Sequence, residues 1–147
     1  MSGSPESPGE PALPYGERYT WGYLATAVVV ISAYVVYMLV QLADTPVDEI
    51  GFQKPLLVAI GASIVLNMFF APQPRKGRDR RDERDTLIAR HGERIGFMVL
   101  AIAFLGPFTL VMFEVSYFWI ANAIYLAYCL SAIVESVVKI VGYRRGF

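Results

Sequence analysis

The chain has 147 residues and a mass of 16.4 kDa, which sets a prior of one domain; 55% of the residues are hydrophobic, only 18% are charged, and the mean hydropathy is +0.44. A soluble chain carries about 25% charged residues, so this composition excludes an ordinary soluble domain and calls for long apolar stretches. Thirteen basic and thirteen acidic residues cancel, yet eight of the basic ones lie between Arg75 and Arg94. With Cys129 as the sole cysteine there is no intrachain disulfide, and with His91 as the sole histidine no zinc site can be built from histidine and cysteine within one chain.

Residues 1–20 carry Pro5, Pro8, Pro11 and Pro14 at a spacing of three, with Gly, Ser and Glu between them. That spacing matches the polyproline II turn, and the segment has almost nothing to bury, so it reads as a disordered tail. A signal peptide is excluded by Glu6, Glu10 and Glu17 against Arg18 alone, and by the length of the apolar run that follows.

The first span runs from Trp21 to Leu42, 22 residues without a charge. At helical rise this covers about 33 Å, enough for a hydrocarbon core of about 30 Å. Tyr19, Trp21 and Tyr23 stand where an interfacial aromatic belt would. The second span, residues 55–71, starts with Pro55 in its first turn and is stopped by Pro72 and Pro74. Within it Ala59, Gly61, Ala62 and Ser63 allow close helix contact.

Residues 72–94 form a charged loop, with the basic residues Arg75, Lys76, Arg78, Arg80, Arg81 and Arg84 near its start. Leu87, Ile88, His91 and Ile95 recur at helical spacing, so the later part of the loop is expected to extend the third helix beyond the membrane. Acids at 79, 82, 83 and 85 precede Arg90 and Arg94, the order that suits the helix dipole. The third span, residues 95–113, holds Gly106 and Pro107, which predict a kink. Three residues then turn the chain into the fourth span, residues 117–141, and a basic tail follows over 142–147.

The spans together take 83 of the 147 residues and leave no room for a separate soluble domain. Lys and Arg in the short loops mark the cytoplasmic side, which places both termini there. The expected fold is all-α: a polytopic four-transmembrane-helix bundle in the inner (plasma) membrane, its third helix extended into the cytoplasm. A soluble helical bundle is the structural alternative, and so much uninterrupted apolar surface speaks against it.

The charged loop could bind anionic headgroups, at about 1 kcal/mol per Lys or Arg, or dock a protein. Its five acids reduce its net charge to +3 and no aromatic residue interleaves, which argues against nucleic acid as a partner. The tetrapeptide Asp82-Glu83-Arg84-Asp85, followed by Ile88 and by Arg94 leading into an apolar span, resembles the loop of a broad group of small, uncharacterised four-span prokaryotic membrane proteins. Members of that group are often described alongside small helix-turn-helix regulators, so the resemblance implies an accessory or regulatory role. It carries over no catalytic residue.

Within the membrane Glu135 is the informative residue, since an intramembrane acid is a functional candidate by default. Lys139 lies four residues on, in the favourable order for an ion pair. Asn122, Tyr125, Cys129, Ser136 and Lys139 share a side of the fourth span, with Tyr128, Ser131 and Glu135 adjoining, giving a polar stripe that Ser32, Tyr34, Tyr37 and Asn67 are candidates to meet. The stripe serves either as packing glue or as the lining of a pathway or of a pocket for a lipid or quinone-like ligand. His91 as a haem ligand would need a second chain or an open coordination site. A divalent ion on Asp79, Asp82, Glu83 and Asp85 would compete with the interleaved arginines.

There is no G-x-S-x-G, no glycine-rich phosphate loop and no H-E-x-x-H. The expectation is therefore a non-enzymatic accessory or regulatory membrane protein without a cofactor, in contact with membrane lipids and with a protein partner or further copies of itself. The alternative is a homo-oligomeric transporter or ion-conducting protein that uses Glu135.

Overall fold

The computed structural model of the chain describes residues 15–70 and 83–146. The proline repeat and the loop residues Arg75, Lys76, Arg78, Asp79, Arg80, Arg81 and Asp82 lie outside the described residues, as does the end of the second span beyond Phe70.

Among the described residues five α-helices follow in chain order: α1 (Tyr15–Asp44), α2 (Gln53–Phe70), α3 (Glu83–Ala103), α4 (Leu105–Met112) and α5 (Tyr117–Arg145), with a single 3-10 turn at Val47–Glu49. Three stretches of the described residues are long and apolar enough to cross a membrane: Gly16–Asp44, Glu83–Met112 and Tyr117–Arg145. The chain is thus an all-α, multi-span membrane protein. The fourth apolar helix, α2, is shorter; its 18 residues rise about 27 Å.

Helix α1 starts at Tyr15, inside the segment whose composition reads as tail, because Glu17 finds partners on α5 that no local pattern announces. Pro55 sits in the first turn of α2, as its missing N–H requires. Helix α3 starts at Glu83, and the most deeply buried of its side chains is Ile88. The expected kink in the third span appears as one irregular residue, Phe104, with helical dihedrals of φ −67° and ψ −17°. Hydrogen bonds from Phe104 N to Leu100 O and from Phe108 N to Phe104 O carry the ladder through it, so α3 and α4 act as one rod.

The three-residue turn into α5 is a Schellman closure, with Glu114 N on Val111 O at 3.0 Å and Val115 N on Leu110 O at 3.1 Å. It places Glu114 at φ 53°, the left-handed region.

Helix α5 is the central element: α3 and α4 pack along one side of it and α1 along another, while α2 packs on α1. The order α2, α1, α5, α3/α4 describes an arc. On α1 the residues Val30, Tyr34 and Met38 recur every fourth position and meet Phe118 and Tyr125 of α5 and Ala59 of α2. Most other large apolar side chains point outward, Val29, Leu57, Phe97 and Met112 among them, as expected of lipid-facing surface.

The two ends of the bundle along the helix axes differ in charge. Gly16 packs on Tyr143 and Glu17 meets Arg144, while Arg84 donates to the Tyr143 carbonyl, so the start of α1, the start of α3 and the end of α5 share one end. The opposite end carries Asp44, Asp48, Glu49 and Glu114 beside Lys54. There Phe118 stacks edge-on against Phe52, with ring centroids 5.7 Å apart.

Candidate functional site

Helices α3 and α5 approach closely because Gly92 and Gly96, one turn apart on α3, present no side chain. A Cβ on Gly92 would run into the Lys139 side chain, and one on Gly96 would lie 2.9 Å from both Cβ and Oε2 of Glu135. Ser131 Oγ donates to the Gly96 carbonyl at 2.8 Å, a buried bond between the two helices. This G-x-x-x-G pair is a small-residue contact that the sequence reading did not single out, while on α2 the expected small residue Ala59 is buried in the core beside Tyr34 of α1.

The glycine gap holds the expected ion pair. Lys139 Nζ lies 2.6 Å from Glu135 Oε1, in the i,i+4 geometry, and 3.8 Å from Glu93 Oε1 on α3. Lys139 therefore stands between Glu135 and Glu93, with Glu135 the nearer partner. Glu135 and Lys139 are both partly buried, and Glu93 is exposed. No protein donor reaches Glu135 Oε2 among the described residues.

Of the polar stripe, Tyr125, Cys129 and Ser136 each border a hollow that Glu135 also borders, and Asn122 borders neither. Asn122 stands thirteen residues from Glu135, about 20 Å along the helix axis. There it accepts a hydrogen bond from Tyr34 Oη at 2.7 Å and donates to Phe118 O at 2.8 Å. Tyr125 packs edge-on against Tyr34, with ring centroids 4.8 Å apart. Of the residues expected to meet the stripe, Tyr34 does so. Tyr37 instead accepts from Gln41 Nε2, Ser32 is exposed, and Asn67 donates to the Ser63 carbonyl of its own helix. Ser136 likewise bonds within α5, to Ala132 O. Cys129 is half-buried and forms no disulfide among the described residues.

Two hollows meet at Glu135. A cleft of about 650 Å³ runs between α2 and α5 with α1 behind it, from Leu56 and Ala121 near the acidic end to Tyr23, Asn67 and Glu135 near the basic end. A smaller hollow of about 230 Å³ continues toward the basic end between α1 and α5, past Thr20 and Lys139. Tyr23 and Glu135 line both. No cluster of three His, Cys, Asp or Glu side chains suited to a metal occurs among the described residues.

At the basic end a second polar group ties the helices. Glu17, 3% exposed, accepts from Arg144 Nε at 3.2 Å and from Trp21 Nε1 at 3.4 Å, and the Arg144 guanidinium lies 5.6 Å from the Trp21 ring centroid. Arg84, the one residue of the expected basic partner site within the described residues, donates from Nη2 to Tyr143 O at 3.2 Å. It therefore anchors the start of α3 to the end of α5. Compared with known proteins, the chain matches no family model, no curated protein and no solved structure.

Proposed function

We propose that the protein is a non-enzymatic accessory or regulatory protein of the inner (plasma) membrane that binds other proteins through its spans and its charged loop. In this reading α2 is the fourth span, both termini are cytoplasmic, and the first turns of α3 extend out of the membrane. The gathering of Arg84, Lys139, Arg144 and Arg145 at one end supports that sidedness, with acids prevailing at the other.

The observation that carries the choice is the Glu135–Lys139 pair at 2.6 Å. A carboxylate already held by the amine of the next turn is poorly placed to exchange a proton in a transport cycle, whereas a structural acid within the membrane needs such a partner. The loop arginines before Glu83 are left as the docking surface, since Arg84 is engaged with α5.

The test reverses Arg75, Arg78, Arg80 and Arg81 to Glu and leaves Arg84 in place. Loss of a co-purifying polypeptide that wild-type protein retains is expected; retention of the same polypeptide at the same stoichiometry overturns the reading.

A second reading, the homo-oligomeric transporter, is favoured by the position of Glu135 on the wall shared by both hollows. It requires proton-coupled flux in vesicles that Glu135→Gln abolishes, an effect the accessory reading does not allow.

A further inference from the structure

Helix α3 has two faces of opposite character. Gly92 and Gly96 turn toward Lys139 and Glu135 of α5, and both are buried. Arg90 and Arg94 each stand about 160° around the helix from Gly92, so they point away from the bundle, and both are exposed. Among the described residues they are the one pair of basic side chains set four positions apart, the spacing at which like charges on a helix repel. Neither makes a hydrogen bond or an ion pair among the described residues. The acid between them, Glu93, turns instead to Lys139 at 3.8 Å. Glu83, on the outward side, stands two turns farther from the apolar run, about 10 Å along the axis from Arg90.

Arg94 is the last charge before the apolar run 95–113. From there the outward line continues through Phe97, Ala101, Leu105 and Phe108, all exposed, because the ladder carries on through Phe104 and keeps α3 and α4 in one rod. Phe97 to Phe108 covers about 17 Å, close to the roughly 15 Å of one leaflet of hydrocarbon. Ala101 leaves the line low between the larger Phe97 and Leu105. Two unpaired guanidiniums thus head an apolar track one leaflet long. A phosphate diester accepts from both guanidiniums and relieves their mutual repulsion. A zwitterionic headgroup brings an ammonium that the same two arginines repel. A partner helix laid on this face would bury two guanidiniums without a counter-charge unless it supplied acids of its own.

We infer that the outer face of α3 binds an anionic phospholipid, its headgroup phosphate between Arg90 and Arg94 and an acyl chain along Phe97, Ala101 and Leu105. The site is distinct from the loop arginines before Glu83. It does not rest on the accessory role: a protein-binding chain and a transporter can each hold such a lipid.

The experiment reconstitutes the full-length protein in equimolar phosphatidylglycerol and phosphatidylcholine, extracts it gently and counts the retained lipids by native mass spectrometry. Phosphatidylglycerol is expected to be retained over phosphatidylcholine by about thirtyfold, the equivalent of about 1 kcal/mol for each arginine. The double variant Arg90→Gln, Arg94→Gln should bring the ratio to parity. Replacing Arg75, Arg78, Arg80 and Arg81 by Gln should leave it unchanged, and glycerol phosphate in excess should displace no lipid. If the double variant fails to give monodisperse helical protein, Arg94→Gln alone takes its place, with a ratio about fivefold lower than wild type. Equal retention of both lipids by wild type, or a double variant that behaves like wild type, overturns the inference. Loss of the preference in the loop variant, with Arg90 and Arg94 intact, would assign the lipid to the loop and overturns it too. So does displacement by glycerol phosphate, or a two-chain particle without bound lipid that the double variant converts to single chains, which would assign the face to a second copy.

Discussion

Arg144 Nε reaches the Glu17 carboxylate at 3.2 Å across 127 residues of sequence, and so ties the first turn of the first helix to the last turn of the last. The acid is buried and the arginine is largely exposed. The burial lies on the acceptor side, and removing the arginine therefore strands a buried acceptor that retains only the longer bond from Trp21.

Arg144→Gln is accordingly expected to lower stability by about 1–3 kcal/mol, the cost of an undersatisfied buried charged group. Glu17→Gln should cost less, since the exposed guanidinium can return to water. Thermal unfolding in detergent checks both, and the double variant should cost less than the sum of the singles because the two residues share one interaction. Additive losses would show that the pair contributes nothing as a pair.

The glycines of the chain divide by what stands opposite them. Gly96→Ala places a methyl 2.9 Å from Glu135 Cβ and Oε2, which α3 can relieve only by moving away from α5; the expected loss is about 1–3 kcal/mol. Gly61→Ala meets nothing within 4 Å and should be neutral or stabilising, by up to about 1 kcal/mol, through a better helix former. The comparison of melting temperatures separates close packing from propensity, because both substitutions are the same chemically.

How far the sequence reaches is clear from these positions. The apolar runs announce α1, α2, α3/α4 and α5, because a membrane leaves one backbone solution for a long uncharged segment. The i,i+4 pair of Glu135 and Lys139 was equally legible, being local. Long-range partners were not. The window that starts α1 at Trp21 rejects Glu17 for its charge, and only the position of Arg144, 127 residues on, makes burial tolerable. The spacing of Gly92 and Gly96 is visible but straddles the boundary between the charged loop and the third span, so no single apolar run displays it. The grouping of Asn122 with Glu135 rests on the helical wheel, which records angle and ignores the rise that separates them.

Tyr34 and Asn122 form the one side-chain hydrogen bond between α1 and α5 in the acidic half of the bundle among the described residues, at 2.7 Å. Tyr34→Phe keeps the ring against Tyr125 and removes only the donor, so the expected cost is about 0.6–1.7 kcal/mol, the range for hydrogen bonds between membrane helices. Adding Asn122→Leu should recover part of that loss, since no acceptor is then left unmatched. A double variant as unstable as the sum of both singles would place the cost in packing instead.

Glu114 is the only residue other than glycine with positive φ among those described, at 53°. The Schellman closure needs that backbone: Glu114 N must turn back to Val111 O and Val115 N to Leu110 O for α4 to end and α5 to begin after three residues. A side chain with a Cβ holds this conformation at a cost of about 1–2 kcal/mol that glycine does not incur. Greater freedom in the unfolded chain takes back part of the gain. Glu114→Gly is therefore expected to stabilise by roughly 0.5–1 kcal/mol, and Glu114→Val, β-branched and acceptor-free, to destabilise. Melting temperatures in one detergent give the order Gly, Glu, Val; a glycine variant less stable than wild type would mean that the carboxylate itself, at the acidic end of the bundle, contributes more than the backbone strain it imposes.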